Sequence, residues 1–302
     1  MQYSCAYFHD GTESLRDAQI LKKRHIAAKL NLQPGQRVLD IGCGWGGMAL
    51  YLAATADVEV TGITLAEEQL AIARARAKAG LEHRATFELV DYRNVTERYD
   101  RIVSVGMLEH VGVGHLETYF EKVRACLKDD GVALVHSISS MSPPAATGPF
   151  LRKYIFPGGY TPTLSECAAA TEKAELWMLD CEIWRVHYAR TLRAWQENFQ
   201  AVRAQVEETH DPRFARMWEF YLAACECSFA YGSSNVVQLQ LARERDATPL
   251  HRDWIPSAAA ALARNEPEAV RRIEAATARV FGETPAEPGE AAGDLYDGPR
   301  EA

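Results

Sequence analysis

The sequence predicts an α/β fold: a doubly wound, mostly parallel, seven-stranded sheet with a loop-rich and helical cap. Three observations carry the prediction. Short apolar runs alternate with helix-length amphipathic stretches as far as residue 138, the pattern of βα units in a parallel sheet. Residues 37–47 read R-V-L-D-I-G-C-G-W-G-G, a short apolar strand followed at once by Gly42, Gly44, Gly46 and Gly47. Residues 139–173 hold Pro143, Pro144, Pro149, Pro157 and Pro162 around Phe150, Tyr154, Ile155 and Phe156, apolar side chains that need burial and so suit a cap better than a linker.

The elements follow in order. Tyr3, Cys5, Tyr7 and Phe8 crowd the start of the chain, which reads as a segment folding over something rather than a frayed end. Residues 14–32 place Leu15, Ala18, Leu21, His25, Ala28 and Leu32 near helical spacing, and Pro34-Gly35 stops that helix. Strand one is 38–41, and 48–54 is a helix returning onto the sheet. Strands are then expected at 58–64, 85–90 and 101–106, with a helix at 67–79 closed by Gly80. A helix at 116–127, a turn at Asp130-Gly131 and a fifth strand at 132–138 complete the alternation. After the cap, strands at 177–186 and 236–241 flank two aromatic-rich amphipathic helices, 188–206 and 212–231. Residues 1–243 make one domain, with cap insertions at about 139–175 and 188–235. From Ala242 the composition turns to Ala, Arg, Glu and Pro. A charged helix is expected at 258–280 and disorder at 282–302.

Composition narrows the function. The 302 residues are 47% hydrophobic and 25% charged, enough for a sizeable core. A net charge of −8 argues against nucleic acid, which wants a basic face, and leaves any membrane contact to a local patch. Seven cysteines without a C-x-x-C pair suggest reduced thiols in a cytoplasmic protein and no structural zinc. No apolar run reaches the length of a spanning helix, and no signal peptide opens the chain.

The glycine spacing is G-x-G-x-G-G, with Asp40 on the strand before it, and not the dinucleotide G-x-G-x-x-G. It resembles the S-adenosylmethionine loop of class I methyltransferases, whose fold is Rossmann-like. With no pyrophosphate to cradle, such a loop needs only close backbone approach to an amino acid and a ribose. The plainer readings are an ordinary tight βα turn or a dinucleotide site.

Further fragments are more restrictive. Y-S-C-A-Y-F at 3–8, D-R-I-V-S-V-G at 100–106 with Glu109-His110, V-H-S-I at 135–138, Y-I-F-P-G at 154–158, and His187-Tyr188 with Thr191-Leu192 stand in this order. Together with the glycine loop they resemble the cyclopropane-fatty-acyl-phospholipid synthases and mycolic acid cyclopropane synthases, from about residue 2 to 241. That resemblance implies S-adenosylmethionine as methyl donor, a cis double bond in a phospholipid or other acyl chain as acceptor, and bound bicarbonate as the base that closes the ring. It implies a bicarbonate cradle at Cys5, Glu109, His136, Ile138 and Tyr188. It places Tyr3, Ser4, Asp40, Gly42, Gly44 and Trp45 at the cofactor, Thr64, Leu65 and Gln69 on the ribose and adenine side, and Tyr92 and Arg93 at the adenine edge. Peripheral contact with the inner face of the membrane and a homodimer are compatible with it.

Each residue also has a plainer reading. Cys5 alone suits a small buried hydrophobe, His136 a satisfied core histidine, Glu109 a helix cap and Tyr188 a corner anchor. The aromatics of 188–231 suit an ordinary core, and Arg152-Lys153 a solvated pair. A relative that leaves a methyl branch, or methylates a small molecule, would share most of these motifs. The long phospholipid synthases carry an N-terminal domain and the mycolate enzymes a short helix before Y-S-C. This chain starts at the motif, so a truncated start or an incomplete substrate cover is expected.

Overall fold

The computed structural model describes residues 2–282, so the disorder expected beyond Gly282 lies outside the described residues. The chain opens with an extended strap, residues 3–8, and then α1 (Leu15–Lys29), capped by Ser14, whose hydroxyl accepts from the Asp17 N–H. Alternating strands and helices follow: β1 (Arg37–Ile41), α2 (Gly47–Thr55), β2 (Glu59–Thr64), α3 (Glu67–Lys78), β3 (Ala85–Leu89), β4 (Tyr99–Val105), α4 (Leu116–Cys126) and β5 (Leu127–Ser140). Then come α5 (Pro149–Tyr154), α6 (Leu164–Lys173), β6 (Trp177–Trp184), α7 (His187–Thr209), α8 (Pro212–Tyr231), β7 (Ser234–Ala242) and α9 (Trp254–Phe281).

Among the described residues the sheet has seven strands in the order β3-β2-β1-β4-β5-β7-β6. The first five run parallel; β7 is antiparallel to both β5 and β6. The order reverses between β1 and β4, and a crevice opens at the carboxyl ends of the strands where it does so. Strand β1 is buried on both faces. Val38 joins the layer of α1, α2, α3 and α9, while Leu39 and Ile41 join that of α4 and α6.

The aromatic helices α7 and α8 lie on each other beside the sheet and close a third cluster containing Cys5, Trp184, Tyr188, Phe199, Tyr221, Phe229 and Val236. The strap is tied into this cluster from two sides. Tyr7 N donates to the Ala18 carbonyl on α1, and Ala6 N and Phe8 N donate to Thr191 Oγ1 and His187 Nδ1 on α7.

Three local expectations change. The stretch 164–173, expected within the loop-rich cap, is helix α6. A capping box joins Thr163 and Glu166, and Cys167 and Ala170 are buried toward α4. Asp130-Gly131, expected as a turn, belongs to a bulge inside β5: Tyr99 pairs with Leu127, but Arg101 already pairs with Val132. A side chain at Gly131 would place its Cβ 2.8 Å from the Lys128 carbonyl oxygen, so glycine permits that close approach. Helix α9 starts earlier than expected, at Trp254. It lays Ile255, Val270, Ile273 and Ala276 against the body along α1, α2 and α3. Among the described residues no helix is long and apolar enough to cross a membrane.

Candidate active site

The turn after β1 brings the backbone to the crevice. Gly42, Gly44 and Gly46 have φ of 78°, 54° and 77°, a region that favours glycine. A Cβ at Gly42 would sit 2.8 Å from Met107 Cγ, so the loop and the end of β4 touch only because this position has no side chain. The N–H groups of Gly42 and Cys43 both donate to the Ile63 carbonyl, which locks the loop to β2.

Around this turn lies a cavity of about 490 Å³, half open to solvent and mostly apolar. Of the residues expected at a cofactor, Gly42, Thr64, Leu65, Gln69 and Tyr92 line it. Gly44 faces Gln69: an added Cβ would lie 3.9 Å from Gln69 Oε1. Met107, His110, Val90 and Ala66 also line the cavity and went unpredicted. Met107 and His110 flank Glu109 in the run M-L-E-H, so their signal was adjacency to a residue already singled out.

Other expected residues sit elsewhere. Asp40 is buried beneath the loop, where the Ala49 N–H donates to its carboxylate and Oδ2 has no partner among the described residues; burial pushes its pKa up to about 7. Trp45 is outside the lining, and its carbonyl accepts from Arg76 Nη1 at 2.6 Å. Arg93 is also outside it, exposed and folded back onto Asp91, with Nη2 2.6 Å from Oδ2. Tyr3 lies in the cap, stacked on Trp195 at 5.0 Å, with its hydroxyl 3.0 Å from that of Tyr221. Ser4 stands between the two regions. Gln19 Nε2 donates to its carbonyl and Lys22 Nζ to its hydroxyl, while a Cβ at Gly106 would come within 3.9 Å of Ser4 Cβ.

The second group of expected residues comes from four separate segments. Glu109 follows β4, and its Oε1 accepts from the Ile138 N–H on β5 at 2.7 Å. The Ser137 hydroxyl donates to the Ile138 carbonyl while lying close enough to the Glu109 carboxyl to favour its charged form, and Glu109 Oε2 is buried with no hydrogen-bond partner among the described residues. Burial pushes this carboxyl up to about 7. Tyr188, at the start of α7, is buried; burial first, then the neighbouring Tyr3, Cys5 and Glu109, push its phenol well up. Cys5 and Tyr188 share the cap cluster, against which Ile138 also rests. Burial raises the Cys5 thiol as well, and that thiol donates to the Ala6 carbonyl.

His136 is two residues before Ile138 on the same face of β5. Its ring meets Trp184 edge-on at 5.0 Å, and Gln238 Nε2 lies 3.1 Å from Nδ1. Burial, with Lys22 and Lys29 nearby, holds the imidazole neutral. Lys22 was not foreseen. It is fully buried, and burial lowers its ammonium to about 7.

A family model described as mycolic acid cyclopropane synthetase matches residues 1–239. The chain is 44% identical over 229 residues to the cyclopropane-fatty-acyl-phospholipid synthase of Escherichia coli K12, covering 76% of this chain and 59% of that protein. It is 38% identical over 247 residues to a probable fatty acid methyltransferase of Pseudomonas putida, covering 79% of this chain and 63% of that one. The chain thus spans less than two thirds of the length of these curated relatives. Among solved structures, mycolic acid cyclopropane synthase CmaA1 in complex with SAH and CTAB superposes with a TM-score of 0.75 at 30% identity, covering 80% of this chain and 89% of that one. The sheet order, the glycine turn and this match over most of the chain agree: the fold is that of a class I S-adenosylmethionine methyltransferase, and the chain belongs to the mycolic acid cyclopropane synthetase family.

Proposed function

We propose that this chain transfers a methylene group from S-adenosylmethionine to a cis double bond of an acyl chain, in a phospholipid, forming a cyclopropane ring. The observation that carries the reading is the Glu109 carboxyl: one oxygen held by the Ile138 N–H, the other buried without a hydrogen-bond partner among the described residues, beside Cys5 and Tyr188. Bound S-adenosylmethionine would supply the methyl group and bound bicarbonate the base. Everything else falls to the protein.

The residues fit both groups. Gly42 and Gly44 bring backbone to the cofactor, and Thr64, Leu65, Gln69 and Tyr92 enclose its nucleoside end. For the anion, a carboxyl with a pKa near 7 is protonated in a large fraction of molecules at neutral pH. It can therefore share a proton with bicarbonate instead of repelling it. The Tyr188 hydroxyl is a donor for the same anion, and its raised pKa keeps that proton in place. Tyr3, Phe156, Trp195, Tyr221 and Phe229 form an apolar, weakly nucleophilic wall that excludes water and suits both an acyl chain and a cation developing on it. At the rim of α5, Phe150 meets Phe220 edge-on, and Lys153 lies over the half-exposed Tyr154. We read this rim as the point of contact with a lipid surface, where aromatic and cationic side chains are favoured.

The test is direct. The chain is incubated with S-adenosylmethionine, bicarbonate and vesicles of cis-unsaturated phospholipid, and the fatty acids are analysed by mass spectrometry. The expected product gains one CH₂ as a ring, and purging of carbon dioxide lowers its yield until bicarbonate is restored. The resemblance to a fatty acid methyltransferase favours a second reading, in which the product carries a methyl branch. Cofactor binding with no lipid product rejects both.

A further inference from the structure

Helix α9 lies beyond residue 239, where the family match ends, and yet it is linked through one side chain to the glycine turn beside the cavity. Arg76 on α3 makes the connection. Its buried guanidinium donates from Nε to Thr277 Oγ1 on α9 at 2.9 Å, and from Nη1 to the Trp45 carbonyl at 2.6 Å. Trp45 stands between Gly44 and Gly46, both in the left-handed region. The peptide joining Trp45 to Gly46 has its N–H bonded within the turn, to the Cys43 carbonyl at 3.0 Å, and takes the contact that fixes its carbonyl from outside. Arg76 supplies that contact, and Thr277 in turn holds the guanidinium.

The same helix also grips the helices around the loop. Glu266, buried on α9, accepts from the Tyr51 hydroxyl on α2 and pairs with Arg24 on α1. Helix α2 begins at Gly47, next to the loop. Arg272 donates to the Gly80 carbonyl just past α3, and α3 carries both Arg76 and the cavity residue Gln69. One element thus bears on the loop from the helix it enters and from the helix across the cavity.

We propose that α9 braces the cofactor loop, and that Arg76 is a positioning residue through which Thr277 sets the Trp45 carbonyl. The brace lowers the ordering needed when the cofactor binds, and preorganisation of that kind is expressed as affinity. The proposal rests on reading the cavity as the S-adenosylmethionine site.

The experiment uses the full chain and measures the Kd for S-adenosylmethionine by calorimetry well below the unfolding transition, together with the melting temperature without ligand. Thr277→Val keeps the side-chain shape and removes the acceptor; it is expected to weaken cofactor binding about tenfold. Thr277→Ser keeps the hydroxyl and is expected to bind like the parent. A lowered melting temperature with parental affinity overturns the brace, as does parental behaviour in both. If the parent chain itself does not bind S-adenosylmethionine, the reading of the cavity fails and the brace fails with it. A parent that binds, with a valine variant that binds equally, rejects the brace alone.

Discussion

The cavity beside the glycine turn and the group of Cys5, Glu109, Ile138 and Tyr188 under the cap are built on opposite plans. The cavity takes its walls from neighbouring strand ends and from a turn whose contacts are backbone, with Gly42 and Cys43 both bonded to the Ile63 carbonyl. The second group is assembled from segments far apart in sequence: Cys5 on the strap, Glu109 after β4, Ile138 on β5 and Tyr188 on α7. Binding that relies on backbone tolerates many side chains and demands glycine at a few positions. A site that relies on convergence demands specific polar atoms and a fold that is already complete.

The sharpest way to separate the two is Glu109→Gln. It keeps an acceptor for the Ile138 N–H but removes the shared proton. Turnover is expected to fall by about 100-fold or more, as for loss of a group acting in proton transfer, with the Kd for S-adenosylmethionine nearly unchanged. Equal loss of both would make Glu109 structural and erase the distinction. Gly42→Ala attacks the other side. The backbone there has positive φ and the new Cβ would meet Met107, so a cost of about 2 kcal/mol is expected, seen as a lowered melting temperature and weakened cofactor binding.

Asp40→Asn tests the burial beneath the loop. The folded-state pKa of Asp40 is raised to about 7 from the ordinary 3.8 of an aspartate, so the folded state binds the proton more tightly than the unfolded one. Its contribution to stability therefore declines as pH rises from about 4 to 7. The asparagine variant is free of that decline. The difference between variant and parent is expected to shift in the variant's favour by about 4 kcal/mol across this range and to level off above pH 7, in melting curves taken at each pH. The smallest effect belongs to Tyr221→Phe, which removes the hydroxyl 3.0 Å from that of Tyr3. About 1 kcal/mol of stability or less should be lost, with cofactor affinity untouched.

Legibility in the sequence follows the same division. Strand β1, its glycine turn and α2 are readable because apolar run, glycine spacing and helix lie within 19 residues, from Arg37 to Thr55. Helix α6 is hidden by the prolines and glycines that precede it, although its Thr163 and Glu166 stand at capping-box spacing. Asp130-Gly131 suits a turn as well as the bulge it forms, and only pairing with β4 decides between them. Cys5, Glu109, Ile138 and Tyr188 carry no local period that would bring them together, and resemblance alone singles them out. Trp45 and Arg93 illustrate the reverse: both adjoin the cavity in sequence, yet Trp45 turns its carbonyl to Arg76 and Arg93 its guanidinium to Asp91. The grip of α9 is unreadable for a related reason, since Arg76 to Thr277 and Tyr51 to Glu266 are single polar contacts across about 200 residues.

The strap gives the protein a built-in clock. Cys5 is shielded completely and its thiol is held in the unreactive form, whereas Cys227 is open to solvent. An alkylating reagent should modify Cys227 at once and Cys5 only when the first residues lift away from α1 and α7. Labelling of the Cys5 peptide, followed by mass spectrometry apart from the other five cysteines, would count those openings, and an acyl chain bound beneath should lengthen the interval between them.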